Sequence, residues 1–148
     1  MSASGVQANQ DLLLLDTHVL IWLMFGDNRL GSRTKAEIAR VGSAGDLLVS
    51  AITPWEIGVL VSKRRIDLHR DALVWVREAL SMPGVSLISL DPEIAVASTR
   101  LPFEMHSDPA DRILVATARH MGATLVTAYK ALLALAKKGH FKTMSAGD

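Results

Sequence analysis

The chain contains no cysteine among its 148 residues. Disulfide bonds, thiolate metal sites and cysteine nucleophiles are therefore excluded, and the composition suits a reducing compartment, so we expect a cytoplasmic protein. The sequence also lacks a surplus of either charge, since its formal net charge is +1. A chain without a basic surplus has no global attraction for nucleic acid, so RNA binding requires a local cluster of cations.

Long hydrophobic runs are missing as well. The longest apolar stretch, 12–25, is interrupted by Asp16, Thr17 and His18, whereas a bilayer requires about 20 consecutive apolar residues. We therefore expect no membrane span. Residues 1–10 have neither the basic nor the apolar part of a signal peptide, and we interpret them as a flexible leader. The remaining 11–148 are enough for one domain.

Short apolar segments alternate with longer amphipathic ones. Strands are predicted at 12–15, 47–50, 85–90 and 124–126. Helices are predicted at 19–25, 32–41, 54–63, 71–81, 92–100, 109–121 and 130–138. Three of these helices begin with a capping side chain before a proline, at Thr53-Pro54, Asp91-Pro92 and Asp108-Pro109. This alternation predicts a single α/β domain, with a parallel central sheet flanked by helices on both faces.

Three acidic residues lie next to predicted strand ends or helix starts. Asp16 follows the first predicted strand. Glu56 lies at the start of the helix after the second strand, and Asp111 lies at the start of the helix before the last strand. Each has a structural explanation by itself. Asp16 can cap a helix, Glu56 can complete a capping box with Thr53, and Asp111 suits the helix dipole.

Their combination points to a site. In a parallel sheet, helix starts lie at the same edge as the preceding strand ends, so the three carboxylates are expected to converge on one rim. Clustered carboxylates repel one another unless protons or a cation offset their charge. Oxygen ligands without cysteine or paired histidines favour Mg²⁺ or Mn²⁺ over Zn²⁺.

Four segments in order resemble the PIN-domain family, specifically toxins of the VapC type. They are LLLDTH at 13–18, SAITPWEI at 50–57, HSDPADRILVATA at 106–118 and GATLVTA at 122–128. The resemblance covers about 12–140. It implies a PIN-like domain that binds Mg²⁺ or Mn²⁺ and cleaves RNA phosphodiester bonds as an endoribonuclease. It also implies inhibition by a cognate VapB-type antitoxin, and we expect a homodimer.

The resemblance assigns roles to particular residues. Asp16, Glu56 and Asp111 would be the catalytic, metal-binding acids. Asp108 would be a neighbouring acid that caps its helix. Thr127 would orient a water at the metal.

One position departs from the family pattern. An acidic residue is usual two places after the threonine of the last motif, and this chain has Tyr129 there. A neutral phenol removes a charge from the expected metal site, so weaker metal binding and impaired cleavage are expected. The alternative hypothesis is a catalytically lapsed PIN fold that binds RNA or protein. A phosphatase with Asp16 as nucleophile is disfavoured, because His18 occupies the place where a second acid is expected.

Other candidates have competing interpretations. Lys63, Arg64 and Arg65 form the densest basic cluster, which is either a solvated helix end or a weak RNA contact. Arg112 can pair with Asp111 or reach a phosphate or an antitoxin carboxylate. His18 and His106 do not have the spacing of a metal triad and are interpreted as incidental. Five apolar side chains either form a groove for an antitoxin helix or pack into the core. They are Ile21, Trp22, Phe25, Leu60 and Val61.

Overall fold

A five-stranded sheet lies at the centre of the computed structural model, which describes residues 11–148. Its strands are β1 (Leu13–Leu15), β2 (Leu47–Ser50), β3 (Val85–Ile88), β4 (Thr124–Thr127) and β5 (Lys142–Ser145). The spatial order is β3-β2-β1-β4-β5, and every adjacent pair is parallel. The predicted leader at 1–10 lies outside the described residues.

Seven helices connect or follow these strands in the described part of the chain. They are α1 (Thr17–Phe25), α2 (Ser32–Ser43), α3 (Ile52–Ser62), α4 (Ala72–Leu80), α5 (Pro92–Thr99), α6 (Pro109–Met121) and α7 (Lys130–Ala136). None of the helices within residues 11–148 has the length and apolar character needed to cross a bilayer.

The leucine run of β1 explains why this strand is central. Leu13 and Leu15 enter one hydrophobic core, which is built with side chains of α1, α2, α3 and α4. Leu14 points the other way, into a second core formed with α6 and α7. Because side chains alternate across a strand, only a continuously apolar segment can face two cores at once. The predicted parallel sheet with helices on both faces is confirmed.

Two details of the predicted elements are wrong. No strand was predicted near the last residues, whereas β5 pairs with β4 in register from Thr124 opposite Lys142 to Thr127 opposite Ser145. The third helix begins at Ile52 rather than after Thr53. Pro54 is accommodated inside its first turn, where backbone N–H groups have no partner within the helix.

The strand order places a crevice beside β1. The chain runs outward from β1 to β2 and β3, and then returns to the other side of β1 to form β4. At such a reversal the connections leave in opposite directions, which opens a crevice beyond the carboxyl ends of the two strands. Asp16 follows β1 and Thr127 ends β4, so both lie at this crevice.

Candidate active site

Asp16 connects the two strands at the crevice. Its Oδ1 accepts the backbone N–H of Thr17 at 2.7 Å, and its Oδ2 accepts the hydroxyl of Thr127 at 2.6 Å. The predicted cap of α1 is therefore present, but it uses only one carboxylate oxygen. The Thr127 hydroxyl in turn accepts the backbone N–H of Tyr129 at 3.0 Å. These contacts fix the orientation of the Asp16 carboxylate relative to both strands.

Glu56 is held by α1 and not by its own helix. The hydroxyl of Thr17 donates to Oε1 of Glu56 at 2.5 Å and lies 3.0 Å from the hydroxyl of Thr53. Because Thr17 has one hydroxyl proton, Thr53 must donate to Thr17 when Glu56 is ionised. The predicted capping box is wrong, since Thr53 is buried inside α3 and Ser50 accepts the N–H of Ile52 at 3.1 Å instead.

Asp111 and Asp108 have different partners although they lie in the same turn. Asp108 caps α6, because its Oδ1 accepts the backbone N–H of Asp111 at 3.0 Å. Oδ2 of Asp111 lies 2.7 Å from Nε2 of His106. A carboxylate can only accept a hydrogen bond, so His106 is the donor to ionised Asp111.

The four acids face one pocket of about 380 Å³. It is lined by Asp16, His18, Trp22, Glu56, Asp108, Asp111, Ala128 and Tyr129. The structure thus brings together the three acids that the sequence placed at one rim, with the predicted neighbour Asp108 and the departed position Tyr129.

The carboxylates of the pocket have altered acidity. Withdrawal from water raises the pKa of Glu56 to about 7, and the charges of Asp16, Asp111 and Asp108 add to the rise. Burial also raises the pKa of Asp16, against the opposing effect of the Thr127 hydrogen bond. The pKa of Asp111 is raised by burial as well, and the His106 hydrogen bond counteracts this. The site therefore favours protons or a cation over bare negative charge.

The donor set fits a divalent cation in its chemistry. Mg²⁺ and Mn²⁺ prefer carboxylate oxygens, and three remote segments supply them here. Oε2 of Glu56 and Oδ1 of Asp111 accept no hydrogen bond from any residue within 11–148, so both remain available as ligands. Among the described residues, no three acidic or histidine side chains already form a group that could hold a metal ion.

Comparison with known proteins identifies the family. The family model of the PIN domain matches residues 13–138, a span that includes all three acids and both strands of the crevice. The chain belongs to the PIN-domain family.

Relatives of this PIN domain include VapC proteins. Ribonuclease VapC22 of Mycobacterium tuberculosis (strain ATCC 25618 / H37Rv) is 33% identical over 115 residues, which cover 78% of this chain and 85% of that protein. The resemblance to the VapC type is therefore confirmed.

Solved structures share the fold of this PIN domain. A crystal structure of VapBC2 from Rickettsia felis bound to a DNA fragment from their promoter matches with a TM-score of 0.67 and 15% identity. The match covers 90% of this chain and 98% of that one. DNA-bound VapBC from Salmonella typhimurium gives a TM-score of 0.64 and 15% identity, covering 92% and 98% respectively.

Two supporting residues of the PIN domain have contacts other than those expected. The Thr127 hydroxyl is buried and donates to Asp16, so it orients that carboxylate. Its role toward a water at the metal stays a prediction. Arg112 does not pair with Asp111. Its Nε donates to the carbonyl of Ser98 at 2.8 Å, and its Nη1 donates to that of Met105 at 3.2 Å. Arg112 therefore joins the segment before α6 to α6 itself.

The basic cluster and most of the apolar groove candidates lie outside the pocket of the acids, whereas Trp22 lines that pocket. Lys63, Arg64 and Arg65 are exposed just beyond the C-terminal end of α3, which continues for about 9 Å past Glu56 at 1.5 Å per residue. Ile21 is buried, and Trp22, Leu60 and Val61 pack against the same core. Phe25 is 48% exposed, so the groove interpretation applies only at the end of α1.

Three residues that support the acids of the pocket were not predicted from the sequence. Thr17 donates to Glu56 and is itself hydrogen-bonded to Thr53, and His106 donates to Asp111. A threonine directly after Asp16 was visible as a possible support, but the partner of its hydroxyl lies 39 residues away. The spacing of His106 is not that of a metal ligand, and sequence spacing does not reveal a residue that supports a ligand.

Proposed function

We propose that this PIN domain is a VapC-type toxin, a divalent-metal-dependent endoribonuclease that works in the cytoplasm and is inhibited by a cognate VapB-type antitoxin. The observation that carries the proposal is the shared pocket of Asp16, Glu56 and Asp111 at the crevice between β1 and β4. The ribonuclease named among the relatives supports the substrate and the reaction.

The proposed chemistry divides between the ion and the protein. Asp16, Glu56 and Asp111 would hold Mg²⁺ or Mn²⁺. Such an ion supplies positive charge for the in-line transition state and acidifies the attacking water. The carboxylates act by position, because correct alignment of the reacting groups removes much of the entropic cost of the reaction. Their hydrogen bonds to Thr127, Thr17 and His106 restrict that position.

The proposed partners require surfaces outside the pocket. Apolar side chains are exposed at the end of α1 and the start of α4, and they are suited to contact with a VapB-type antitoxin. They are Phe25, Leu73 and Val74, which are 48%, 59% and 45% exposed. The exposed cations Lys63, Arg64 and Arg65 are candidates for weak contacts to RNA phosphates. A homodimer also belongs to the proposal.

A lapsed PIN fold that only binds RNA or protein is the less favoured alternative. Tyr129 supports it, because this position lacks the usual acid. The other acids argue against it. Three carboxylates whose pKa values are raised by burial are costly to retain without a ligand.

Cleavage of a labelled RNA with Mn²⁺, and with excess chelator, tests the proposal. We expect cleavage that depends on the ion and falls by at least about 100-fold in Glu56→Gln and Asp111→Asn, since even supporting residues at metal sites contribute about 10–100-fold. Glu93→Gln, at an exposed position of α5, is the matched control and should cleave normally. Metal-independent cleavage, or full activity in Glu56→Gln, would refute the proposal. Binding without cleavage would support the alternative.

Tyr129→Asp tests the departed position separately. The substitution restores a carboxylate at the pocket, so we expect it to raise Mn²⁺ affinity and the cleavage rate by about 10-fold or more. An unchanged rate would show that this position does not limit activity.

A further inference from the structure

His106 lies between Asp111 and Tyr129. Its Nε2 is 2.7 Å from Oδ2 of Asp111, and the two side chains are largely withdrawn from solvent, with 33% and 18% exposure. On the other side, its ring meets the Tyr129 ring in a T-shaped arrangement, with the centroids 5.5 Å apart and the planes at 76°.

The other two acids show what such a contact does. The Thr127 hydroxyl binds one oxygen of Asp16, and the Thr17 hydroxyl binds one oxygen of Glu56. In each case a neighbouring donor fixes the carboxylate, while lone pairs remain for another ligand. His106 has the same relation to Asp111, because it engages Oδ2 and leaves Oδ1 without a partner among the described residues.

The backbone around His106 is fixed by the helix that carries Asp111. Arg112, the next residue of α6, donates to the carbonyls of Ser98 and Met105. Arg112 therefore ties α5 and the segment before α6 to α6 itself, which keeps the backbone of His106 close to the helix that carries Asp111.

Tyr129 is fixed independently at the end of β4. Its backbone N–H donates to the Thr127 hydroxyl at 3.0 Å, and Thr127 is itself bound to Asp16. The ring that restricts His106 is thus linked through Thr127 to the first acid of the pocket. Asp16 and Asp111 are connected across the crevice by Thr127, Tyr129 and His106.

We propose that His106 is a positioning residue that orients Asp111 toward a divalent cation, and that Tyr129 restricts the His106 ring. This inference rests on the proposed metal-dependent function. It gives Tyr129 a role at the position where the family usually has an acid. An acid there would add a further metal ligand, whereas the Tyr129 ring supports an existing ligand, Asp111, through its contact with His106.

Mn²⁺ binding measured by calorimetry tests the positioning role without depending on cleavage. We expect His106→Ala to weaken binding by about 10–100-fold. His106→Gln should recover most of the loss, because its amide nitrogen can donate as Nε2 does. Tyr129→Ala should weaken binding by about 2- to 10-fold, the range of an aromatic contact, and Tyr129→Phe should not. His140→Ala is the matched control, since the His140 ring is exposed and stacks on Phe103.

Two outcomes of the titration would overturn the proposal. Unchanged Mn²⁺ affinity in His106→Ala would show that Asp111 needs no support from it. An equal loss in His106→Ala and His106→Gln would indicate that the imidazole itself is a ligand. Melting temperatures of the same variants show whether any of them is merely misfolded.

A metal-free measurement separates this inference from the proposed function. Tyr129 is the only tyrosine of the chain, so incorporation of fluorotyrosine gives one fluorine resonance. Asp111→Ala, which removes the acceptor of the His106 hydrogen bond, should shift that resonance by releasing His106, whereas Asp91→Ala, at the cap of α5, should not. No shift in Asp111→Ala would overturn the proposed linkage. If the unmodified protein binds no Mn²⁺, the metal-dependent function fails, and the resonance still decides whether His106 links the two residues.

Discussion

At the scale of single residues, Glu56 concentrates the electrostatic cost of the pocket. Its carboxylate is withdrawn from water and faces Asp16, Asp111 and Asp108, which raises its pKa from 4.5 to about 7. Thr17 offsets only part of this cost through its hydrogen bond. The folded protein therefore holds a proton on Glu56 at pH values where the unfolded chain has released it.

This difference predicts how stability depends on pH in the absence of metal. Because the pKa of Glu56 is higher in the folded protein than in the unfolded chain, protonated Glu56 contributes to the free energy of unfolding. This contribution is complete below pH 4.5 and is lost as the pH rises to about 7. Glu56→Gln should remove that loss and stabilise the metal-free protein at pH 8 by roughly 2 kcal/mol, a value reduced for solvent screening because Glu56 remains partly exposed. Denaturant unfolding at pH 4.5 and pH 8 with chelator measures it, with Glu93→Gln as control. A Glu56→Gln protein that is less stable at pH 8 would contradict the cause given for the raised pKa.

The sequence predicted the acids of the pocket better than their supports. Asp16, Glu56 and Asp111 could be placed at one rim because parallel topology alone brings strand ends and helix starts together. The partners of Thr17 and His106 depend on how the connecting segments pack, which periodicity does not determine. Arg112 was likewise visible as a cation but not as a donor to distant carbonyls.

At the scale of elements, the caps of α5 and α6 form a natural pair. Asp91 and Asp108 each precede a proline, and each accepts the N–H of the residue three places on, at 3.0 Å. Only Asp108 lies at the pocket. Substitutions at Asp91 and Asp108 can therefore separate the effect of losing a helix cap from the effect of losing a negative charge at the pocket.

The two caps should respond alike in stability and differently in metal binding. Asp91→Ala and Asp108→Ala should each cost about 1 kcal/mol of unfolding free energy, and Asp108→Asn should cost little because asparagine also caps. Both Asp108 variants should change the pH dependence of Mn²⁺ binding, since the Asp108 charge contributes to the raised pKa values of Glu56 and Asp111. An Asp91 variant with the same effect on metal binding would argue against a local role for Asp108.

The start of β3 depends on a close approach of two glycines. Gly84 has φ +86° and a Cβ there would lie 1.9 Å from the carbonyl oxygen of Gly42, whereas Gly45 has φ +83° with open space around it. Gly45→Ala should therefore cost about 1 kcal/mol through backbone strain alone. Gly84→Ala should cost more, because α2 and β3 must separate. Equal melting temperatures for the two variants would disprove the close approach.

Strong local patterns predicted the elements, and weaker ones were missed. The leucine run predicts a strand, and the two Asp-Pro pairs predict helix starts. The structure has β1, α5 and α6 at these places. The segment of β5, Lys142–Ser145, is polar and lies at the sheet edge, so its strand conformation comes from pairing with β4. The observed start of α3 differs from the predicted one because Thr53 and Pro54 match a capping signal, whereas Thr53 makes a buried tertiary contact with Thr17.

At the scale of the whole molecule, the reversal of strand order beside β1 creates the site. Two cores hold the sheet from both faces, so the carboxyl ends of β1 and β4 are fixed relative to each other. The acids come from the end of β1, the second turn of α3 and the first turn of α6, and both helices begin at this edge. A rigid sheet can thus hold like charges together that would otherwise move apart.

The proposed function requires Asp16, Glu56 and Asp111 to bind one or more divalent cations together at this crevice. Diffraction from crystals grown with Mn²⁺, measured near the manganese absorption edge, tests this binding. We expect an anomalous peak in the pocket, within coordination distance of carboxylate oxygens from all three residues, and no such peak in Asp111→Asn crystals. An empty pocket at saturating Mn²⁺, or an ion bound elsewhere while the three side chains keep their separate hydrogen bonds, would contradict it.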